Sequence, residues 1–407
     1  MSTVLIIGTY RQTLTVIRSV ARAGYRVILG IHGETGGCER SRYVDEVWQH
    51  PDTDGDRFLD ELNSFLTGRP EIKMVFPVGE TELRCFLEKK DGMPPDVQFL
   101  MSDPESICLC LDKPAMSAIV DELGIPQASY ASVSSSAALF DASDSIGYPC
   151  IVKPVDSTVR ILDKKAITFD TAAEIRDCLS SWPPENLSLI VQKLVSGRRH
   201  NIYFFSSKGR IDALAQVEIL RTDSLDGNGL AVSGITVSPS PVLVAYCEKI
   251  LQRLNYDGAG CVQFLVDDAG DEISFLELNP RLGANFAIVY RAGIDLPAMM
   301  INAACEVTDR ESMPIQHCGE GVRYAWVTGD IIGLKNAIRD KKVGIRQAAV
   351  WLFAMLRSSM KASVHITWDW RDPIPFLVSS SKAFVAFPLH TIRSTPNVPQ
   401  RTNKESR

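Results

Sequence analysis

The sequence lacks the residue patterns that define several large protein classes. Ten cysteines are scattered over 407 residues without a CxxC pair, and the C-x-C at Cys108 and Cys110 is too close for the usual zinc spacing. The net charge of −6 argues against a general nucleic-acid-binding protein, which usually carries a basic stripe. Scattered cysteines without a metal or disulfide pattern are typical of reduced thiols, so we expect a cytoplasmic protein.

Long apolar runs are missing as well. The first residues, MSTVLIIGTYRQ, contain only a short apolar run with no basic region before it, so we expect no signal peptide. The longest apolar segment, AAVWLFAML (348–356), is far shorter than the ~20 residues that a membrane-spanning helix needs. We interpret it as a packed core helix, while an interfacial helix flanked by Arg346, Arg357 and Lys361 stays open.

Two common nucleotide-binding signatures are also absent. The dipeptide Gly-Lys never occurs, which excludes the GxxxxGK[ST] phosphate-binding loop. Gly8 ends the first apolar run without the G-x-G-x-x-G pattern of dinucleotide-binding domains, so we expect no NAD site. Any phosphate-binding site in this chain must therefore use other residues.

An alternation of strand and helix patterns is present at the N terminus. Apolar runs at 4–7 and 25–31 flank a segment with helical apolar spacing that Gly24 ends. A third run, MVFPVGETEL (74–83), leads into a predicted loop that carries Glu80 and Glu82. These patterns predict a doubly wound α/β domain over residues 1–112.

The rest of the chain has a different organisation. Strand patterns in pairs, such as GCVQFLVD and EISFLELN, alternate with helices and indicate an α+β domain over 113–312. A C-terminal segment at 313–392 follows, and the polar residues 393–407 predict a disordered tail. Two or three domains are expected for a chain of 407 residues.

The segment SFLELNPRLGAN (274–285) combines a buried strand with polar side chains. Glu277 and Asn279 lie on one strand face at period two, and Arg281 follows directly after Pro280. Gln263 would lie across from Glu277 if the two strands form a hairpin. Mg²⁺ binds few protein oxygens and leaves its other positions to water and phosphates. An arginine beside such a site can neutralise a transferring phosphoryl group or a carboxylate.

Two lysines and one strand end complete the candidate residues. Lys113, at a helix start, and Lys153, at the end of the strand CIVKP, are candidates for binding phosphates. The strand LIVQKLVSG carries Gln192 and Lys193 and stops at Gly197. A strand that stops pairing can present free backbone groups to the edge of a purine.

The order of these motifs resembles that of the ATP-grasp superfamily. The resemblance covers about 4–306 and depends on LDKPAMSAIVDELGIPQASY, GYPCIVKPV, LIVQKLVSG, VQFLVD and FLELNPRLG. It implies a pre-ATP-grasp α/β domain, then a two-lobed ATP-grasp domain with a lid at about 114–190 that clamps ATP. The site residues that it implies are Lys113, Lys153, Ser157, Gln192, Lys193, Val195, His200 and Leu265 for ATP; Glu277, Asn279 and Gln263 for Mg²⁺ or Mn²⁺; Arg281 and Glu277 for catalysis; and Gly8, Glu80 and Arg221 for the substrate.

The implied function is an ATP-dependent ligase that joins a carboxylate to an amine through an acyl phosphate, with small-molecule substrates. Gln263 stands where many relatives have an acid, and the lid sequence after Lys153, VDSTVRILDKK, has no glycine. Two alternatives therefore stay open: a phosphorylating enzyme similar to carbamoyl phosphate synthase, and a nucleotide-binding regulatory protein without turnover. A homodimer also stays open.

Overall fold

The computed structural model describes residues 2–33, 35–53, 55, 57–89, 93–156, 159, 161–162, 164, 166–179, 188–225, 227, 229–270, 272–305 and 314–385. The predicted phosphate contact at Ser157 and the predicted tail at 393–407 lie outside these residues.

The first 100 residues form the predicted doubly wound α/β domain. Five parallel strands lie in the order β3-β2-β1-β4-β5, and the apolar residues of β1, β2 and β4 are buried on both faces of the sheet. The elements are β1 (Thr3–Ile7), α1 (Thr13–Arg22), β2 (Arg26–Ile31), a 3₁₀ helix (Cys38–Arg40), β3 (Glu46–Gln49), α2 (Arg57–Thr67), β4 (Ile72–Pro77), α3 (Glu80–Lys89) and β5 (Gln98–Phe99).

The loop predicted after β4 is shorter than expected. Glu80 and Glu82 lie in the first turn of α3 and not in a loop. Carboxylates in the first turn stabilise a helix because they face the positive end of its dipole, which explains why helix formation begins at Glu80. The prediction of a loop at these two residues is therefore wrong.

A smaller antiparallel sheet follows, in the order β6-β9-β7-β8. The preceding helix α5 packs through Met116 and Val120 into the core behind the larger sheet and not into this smaller unit. The elements are α4 (Pro104–Leu111), α5 (Lys113–Glu122), β6 (Tyr130–Val133), α6 (Ser136–Ile146), β7 (Cys150–Pro154), β8 (Ile167–Phe169), α7 (Ala172–Leu179) and β9 (Leu189–Lys193).

The larger sheet forms the body of the molecule. Its strands lie in the order β14-β13-β10-β11-β12-β16-β17, with β15 paired to β11, so the C-terminal segment supplies one edge. The elements are β10 (Arg198–Ser207), β11 (Arg210–Thr222), β12 (Ala231–Val237), α8 (Pro241–Leu254), β13 (Gly258–Val266), β14 (Ile273–Asn279), α9 (Ala287–Arg291), α10 (Leu296–Ala304), β15 (Gln316–His317), β16 (Arg323–Ala325), α11 (Val327–Arg339), α12 (Ile345–Lys361), β17 (Val364–His365) and α13 (Ile374–Val385).

The apolar segment 348–356 lies in α12, and the prediction of a packed core helix is wrong for it. Val350 and Phe353 are 68% and 66% exposed, whereas Trp351 is buried. The helix packs on α11 through one narrow face, where the Trp351 indole donates to Asp330 Oδ1 at 2.9 Å. Among the described residues no helix is long and apolar enough to cross a bilayer, and no cysteine pair forms a disulfide.

A buried ion pair connects the C-terminal segment to the N-terminal domain. Arg18 Nε on α1 lies 3.0 Å from Asp372 Oδ2, and both side chains are almost inaccessible to solvent. The same carboxylate accepts hydrogen bonds from the Ser41 hydroxyl at 2.7 Å and from the Arg42 amide at 2.9 Å. The Asp372 carboxylate therefore connects three chain segments: α1, residues 41–42 and the C-terminal segment.

Asp372→Asn should strongly destabilise the protein, because it keeps the side-chain shape but leaves the Arg18 charge buried without a counter-charge. We expect the free energy of unfolding in urea to fall by ~3–5 kcal/mol. The control is Asp369→Asn, which removes the partner of Arg22 in a more exposed pair and should cost less than ~1 kcal/mol. Equal costs for the two variants would contradict this account.

Candidate active site

The site begins with the pairing of β13 and β14. Gln263 lies directly opposite Glu277, and Cys261 lies opposite Asn279. On the other side of β13, Gln263 pairs with Asn201 of β10. The hairpin turns between Asp267 and Glu272, at the predicted place. The pairing puts one acid and two amides, Glu277, Gln263 and Asn201, in a row across three strands.

Glu277 and Asn279 interact with each other. Asn279 Nδ2 donates to Glu277 Oε1 at 2.8 Å. The Glu277 side chain is exposed to solvent. Desolvation favours its neutral form, but the Asn279 hydrogen bond and the charges of Lys153, Arg281 and Arg199 outweigh this and hold the pKa of Glu277 below its usual range. The carboxylate is therefore ionised at neutral pH.

The donor set at this strand end fits one magnesium ion. It consists of the Glu277 carboxylate and the amide groups of Asn279 and Gln263, and rotation of each amide presents its oxygen. Mg²⁺ binds through one or two carboxylates when phosphates and water complete its shell. Within the described residues no group of three or more acids, histidines or cysteines offers a further metal site.

Two lysines from different elements face this carboxylate. Lys113 begins α5, as predicted, and its ammonium donates to the carbonyls of Pro154 and Val155 at 2.9 and 2.6 Å. Lys153 lies on β7, opposite Ile190. Burial lowers the pKa of Lys153 to about 8 and also lowers that of Lys113, while Glu277 acts on both in the opposite direction. The smaller sheet and the larger sheet thus meet at one charge cluster.

The strand end expected to contact a purine lies beside these lysines. The amide of Lys193 donates to Ser129 and that of Leu194 to Pro149, at 2.9 and 3.0 Å. Pairing then stops, since Val195 makes no backbone hydrogen bond within the described part of the chain. The Lys193 ammonium donates to the Tyr148 carbonyl at 2.7 Å, so it stabilises this strand end.

His200 and Leu265 lie on adjacent strands of the larger sheet. His200 Nδ1 is 2.9 Å from Gln216 Nε2, which donates to it, and burial lowers the pKa of the imidazole. His200 is therefore neutral at pH 7 and accepts through Nδ1. Leu265 pairs with Arg199 on β10 and with Ser274 on β14.

Of the three predicted substrate residues, Gly8 and Glu80 follow the adjacent strands β1 and β4, whereas Arg221 lies on β11. Gly8 ends β1 with a φ of +106°, and a Cβ there would lie 2.8 Å from the Tyr10 ring. Glu80 accepts two hydrogen bonds from Arg84, and its charge acts on Lys113. Arg221 instead forms an ion pair with Asp330 below α12, away from the Glu277 cluster.

Several polar residues beside the cluster were not predicted. Arg199, Asn201 and Tyr203 follow each other at period two on β10, on the face that carries Gln263. That periodicity is visible in RRHNIYFF and could have identified them. Arg11 follows β1 at the carboxyl edge of the parallel sheet, where ligands of such sheets bind. Its position after the first strand could have identified it in the sequence.

Comparisons with known proteins find similarity to ATP-grasp proteins. A family model described as "ATP-grasp in the biosynthetic pathway with Ter operon" matches residues 212–329, which include β13, β14 and Arg281. The carbamoyl phosphate synthase large chain of Clostridium acetobutylicum is 27% identical over 203 residues. This part of the chain is thus similar to the ATP-grasp family. The match to the synthase covers 47% of this chain and 18% of the synthase chain, so the protein described here spans less than a fifth of that relative.

Solved structures share the ATP-grasp fold. N5-carboxyaminoimidazole synthetase from Staphylococcus aureus, complexed with ADP, has a TM-score of 0.61 at 15% identity, over 79% of this chain and 80% of that chain. L-amino acid ligase from Bacillus licheniformis has a TM-score of 0.57 at 14% identity, over 77% and 78% of the two chains. At such identities the likeness concerns the fold alone.

The lowered pKa of Lys153 predicts a pH dependence of stability. Between pH 8 and 10 the unfolded chain keeps the Lys153 proton that the folded chain has released, so stability rises with pH in this window. From pH 7 to 9.5 the unfolding free energy of the parent should increase relative to Lys153→Met by on the order of 1–2 kcal/mol. The exposed Lys249→Met is the control. A pH-independent difference for Lys153→Met would show that its charge is not desolvated.

Proposed function

We propose that this protein is an ATP-dependent ligase that joins a carboxylate to an amine. A carboxylate oxygen attacks the γ-phosphorus of ATP and ADP leaves. The amine nitrogen then attacks the acyl carbon, loses a proton and displaces phosphate. Positioning and charge neutralisation supply most of the catalysis in such a reaction.

The arrangement assigns a role to each group of residues. Lys113 and Lys153 would neutralise the ATP phosphates, which explains why two cations with lowered pKa values lie in one cleft. The unpaired backbone at Val195 would bind the adenine edge, above Leu265. His200 alternates with Arg199 and Asn201 on β10 and lies on the opposite face of the sheet from Gln263, so its contact with ribose or phosphate stays a prediction. Ser157 stays a predicted phosphate contact.

Arg281 has the central role in the proposed chemistry. It follows Glu277 and Asn279 on the same strand end, and its charge lowers the pKa of Glu277. A guanidinium there can bind the carboxylate and the phosphoryl oxygens with two parallel hydrogen bonds. Magnesium held by Glu277, Asn279 and Gln263 would supply charge neutralisation at the phosphates.

One observation carries the proposal: Lys113 at the start of α5, Lys153 on β7 and Arg281 just after β14 all lie within electrostatic range of the Glu277 carboxylate, whose strand pairs with that of Gln263. The test is ADP release from Mg·ATP with pooled carboxylic acids and pooled amines. We expect release that requires both pools, with equimolar phosphate. Tight ATP binding without turnover in any pool would favour a regulatory protein instead.

A second candidate is a carbamoyl-phosphate-synthase-like phosphorylating enzyme. The match to a synthase large chain in sequence favours it. In the same assay it would release ADP with bicarbonate as the acid, and release would not require an amine pool. The two candidates use the same ATP site and differ in the acid that they accept.

Glu277→Gln should lower turnover on the order of 100-fold, because it keeps the side-chain shape and removes the only acid among the proposed magnesium ligands. Steady-state ADP release at saturating substrates measures this. Glu272→Gln, on the same hairpin and exposed, is the matched control and should behave as the parent. Parental turnover in Glu277→Gln would remove this residue from the active site.

Arg281→Lys should separate turnover from ATP affinity. Lysine keeps the charge but loses the planar fork that grips a carboxylate or an acyl phosphate, so kcat should fall on the order of 100-fold. ATP affinity, measured by calorimetry, should change little. Arg253→Lys, in an exposed pair with Glu122, is the control. A large loss of ATP affinity with unchanged kcat would assign Arg281 to nucleotide binding alone.

A further inference from the structure

Beyond Arg281 lies a group of buried polar side chains whose hydrogen-bonding atoms lack partners. Tyr203 is 1% exposed and Asn201 and Asn285 are each 4% exposed. The Tyr203 hydroxyl, Oδ1 of Asn201 and of Asn285, and Nε of Arg199 have no hydrogen-bond partner of good geometry. Native proteins leave few buried polar groups unpaired, so four such atoms in one place indicate a ligand.

These atoms belong to one contiguous cluster. The Asn201 side chain lies beside the Tyr203 hydroxyl, and the Tyr324 ring lies within electrostatic range of it. Asn285 Nδ2 donates to the Tyr324 hydroxyl at 2.8 Å, which leaves its oxygen unpaired. A Cβ on Gly283 would lie 2.9 Å from the Tyr203 hydroxyl, so the loop that carries Arg281 borders the cluster.

Two arginines make this cluster positive. Arg11, from the loop after β1, stacks on the Trp326 ring at 3.8 Å and donates to the Ala231 carbonyl at 3.4 Å. Arg199 donates to the Gly229 carbonyl at 3.4 Å. Within the described part of the chain neither guanidinium meets a carboxylate at ion-pair distance. Burial lowers the pKa of Arg11 to about 10, with Tyr203, Tyr324 and Asp223 acting in the opposite direction and Arg199 acting with burial.

Arg11 has Asp223 and Arg199 has Glu277 within electrostatic range, but neither guanidinium forms an ion pair with a described carboxylate. Two partly buried guanidinium groups that form no ion pair are costly unless an anion binds beside them. Asp223, the acid within electrostatic range of Arg11, uses Oδ1 to accept from the Leu230 amide. The Tyr203 hydroxyl and Arg199 Nε lie on the same face of β10, have no hydrogen-bond partner of good geometry among the described residues, and suit anionic oxygens. Acceptors of Asn201 and Asn285 suit a hydroxyl or amino group beside them.

We propose that Arg11, Arg199 and Tyr203 bind a second anionic group of the acid substrate. The acid would thus carry two negative groups: a carboxylate that is phosphorylated at Arg281, and a carboxylate or phosphate held in this cluster. This inference depends on the proposed ligase function, because it names the class of its acid substrate. The N-terminal domain then takes part in substrate selection through Arg11.

The test compares acids of one length that differ at one end. Calorimetry with the protein saturated in Mg·ADP would measure the affinities of glutarate, of 4-phosphobutyrate and of pentanoate. We expect one dianion to bind about tenfold more tightly than pentanoate, as for hydrogen bonds to a charged group. The two dianions distinguish a carboxylate cluster from a phosphate cluster. Equal affinities for all three acids, or no binding of any, would overturn the inference.

Variants assign the preference to these residues. Arg11→Met and Tyr203→Phe should abolish the preference for the dianion, while Arg26→Met, in a surface pair with Glu46, should keep it. Mg·ADP affinity should be unchanged in all three. A preference that survives in both cluster variants would contradict the inference and leave the ligase function intact. Absence of nucleotide binding in the parent would instead contradict the proposed function.

Discussion

The antiparallel pairing of β13 with β14 is the constraint on which the site depends. Its register sets Gln263 opposite Glu277, and Pro280 ends the strand so that Arg281 follows at a fixed place. Lys153 comes from the smaller sheet and Lys113 from the start of α5, yet both lie in the field of Glu277. Slipping this pair by one residue would turn the acid to the opposite face and remove the common centre of these charges.

Desolvated cations define the chemistry of the site. Desolvation lowers the pKa values of Lys113, Lys153 and Arg11, so each holds its charge at a cost in the absence of a ligand. Anionic ligands relieve that cost. Burying these cations lowers the free energy of unfolding, and binding of phosphates or carboxylates would restore it. In this way a chain of net negative charge could still bind anions at one site.

The sequence predicted the parts of the site that follow from local periodicity. The Gln263–Glu277 pairing follows from period two and a turn signal, and Asp112 before Lys113 is an ordinary helix start. Contacts between distant segments could not be predicted. Arg221, which the resemblance implied as a substrate residue, pairs with Asp330, more than 100 positions later. For α12, composition alone could not reveal which of its apolar faces would stay exposed.

The proposed function depends on one nucleotide site between the two sheets. A crystal structure of the protein with Mg²⁺ and a non-hydrolysable ATP analogue tests it most directly. We expect the adenine at the Val195 backbone, the phosphates between Lys113 and Lys153, and the metal on Glu277 and Asn279. A nucleotide bound elsewhere, or phosphates beyond hydrogen-bonding distance of both lysines, would contradict this arrangement.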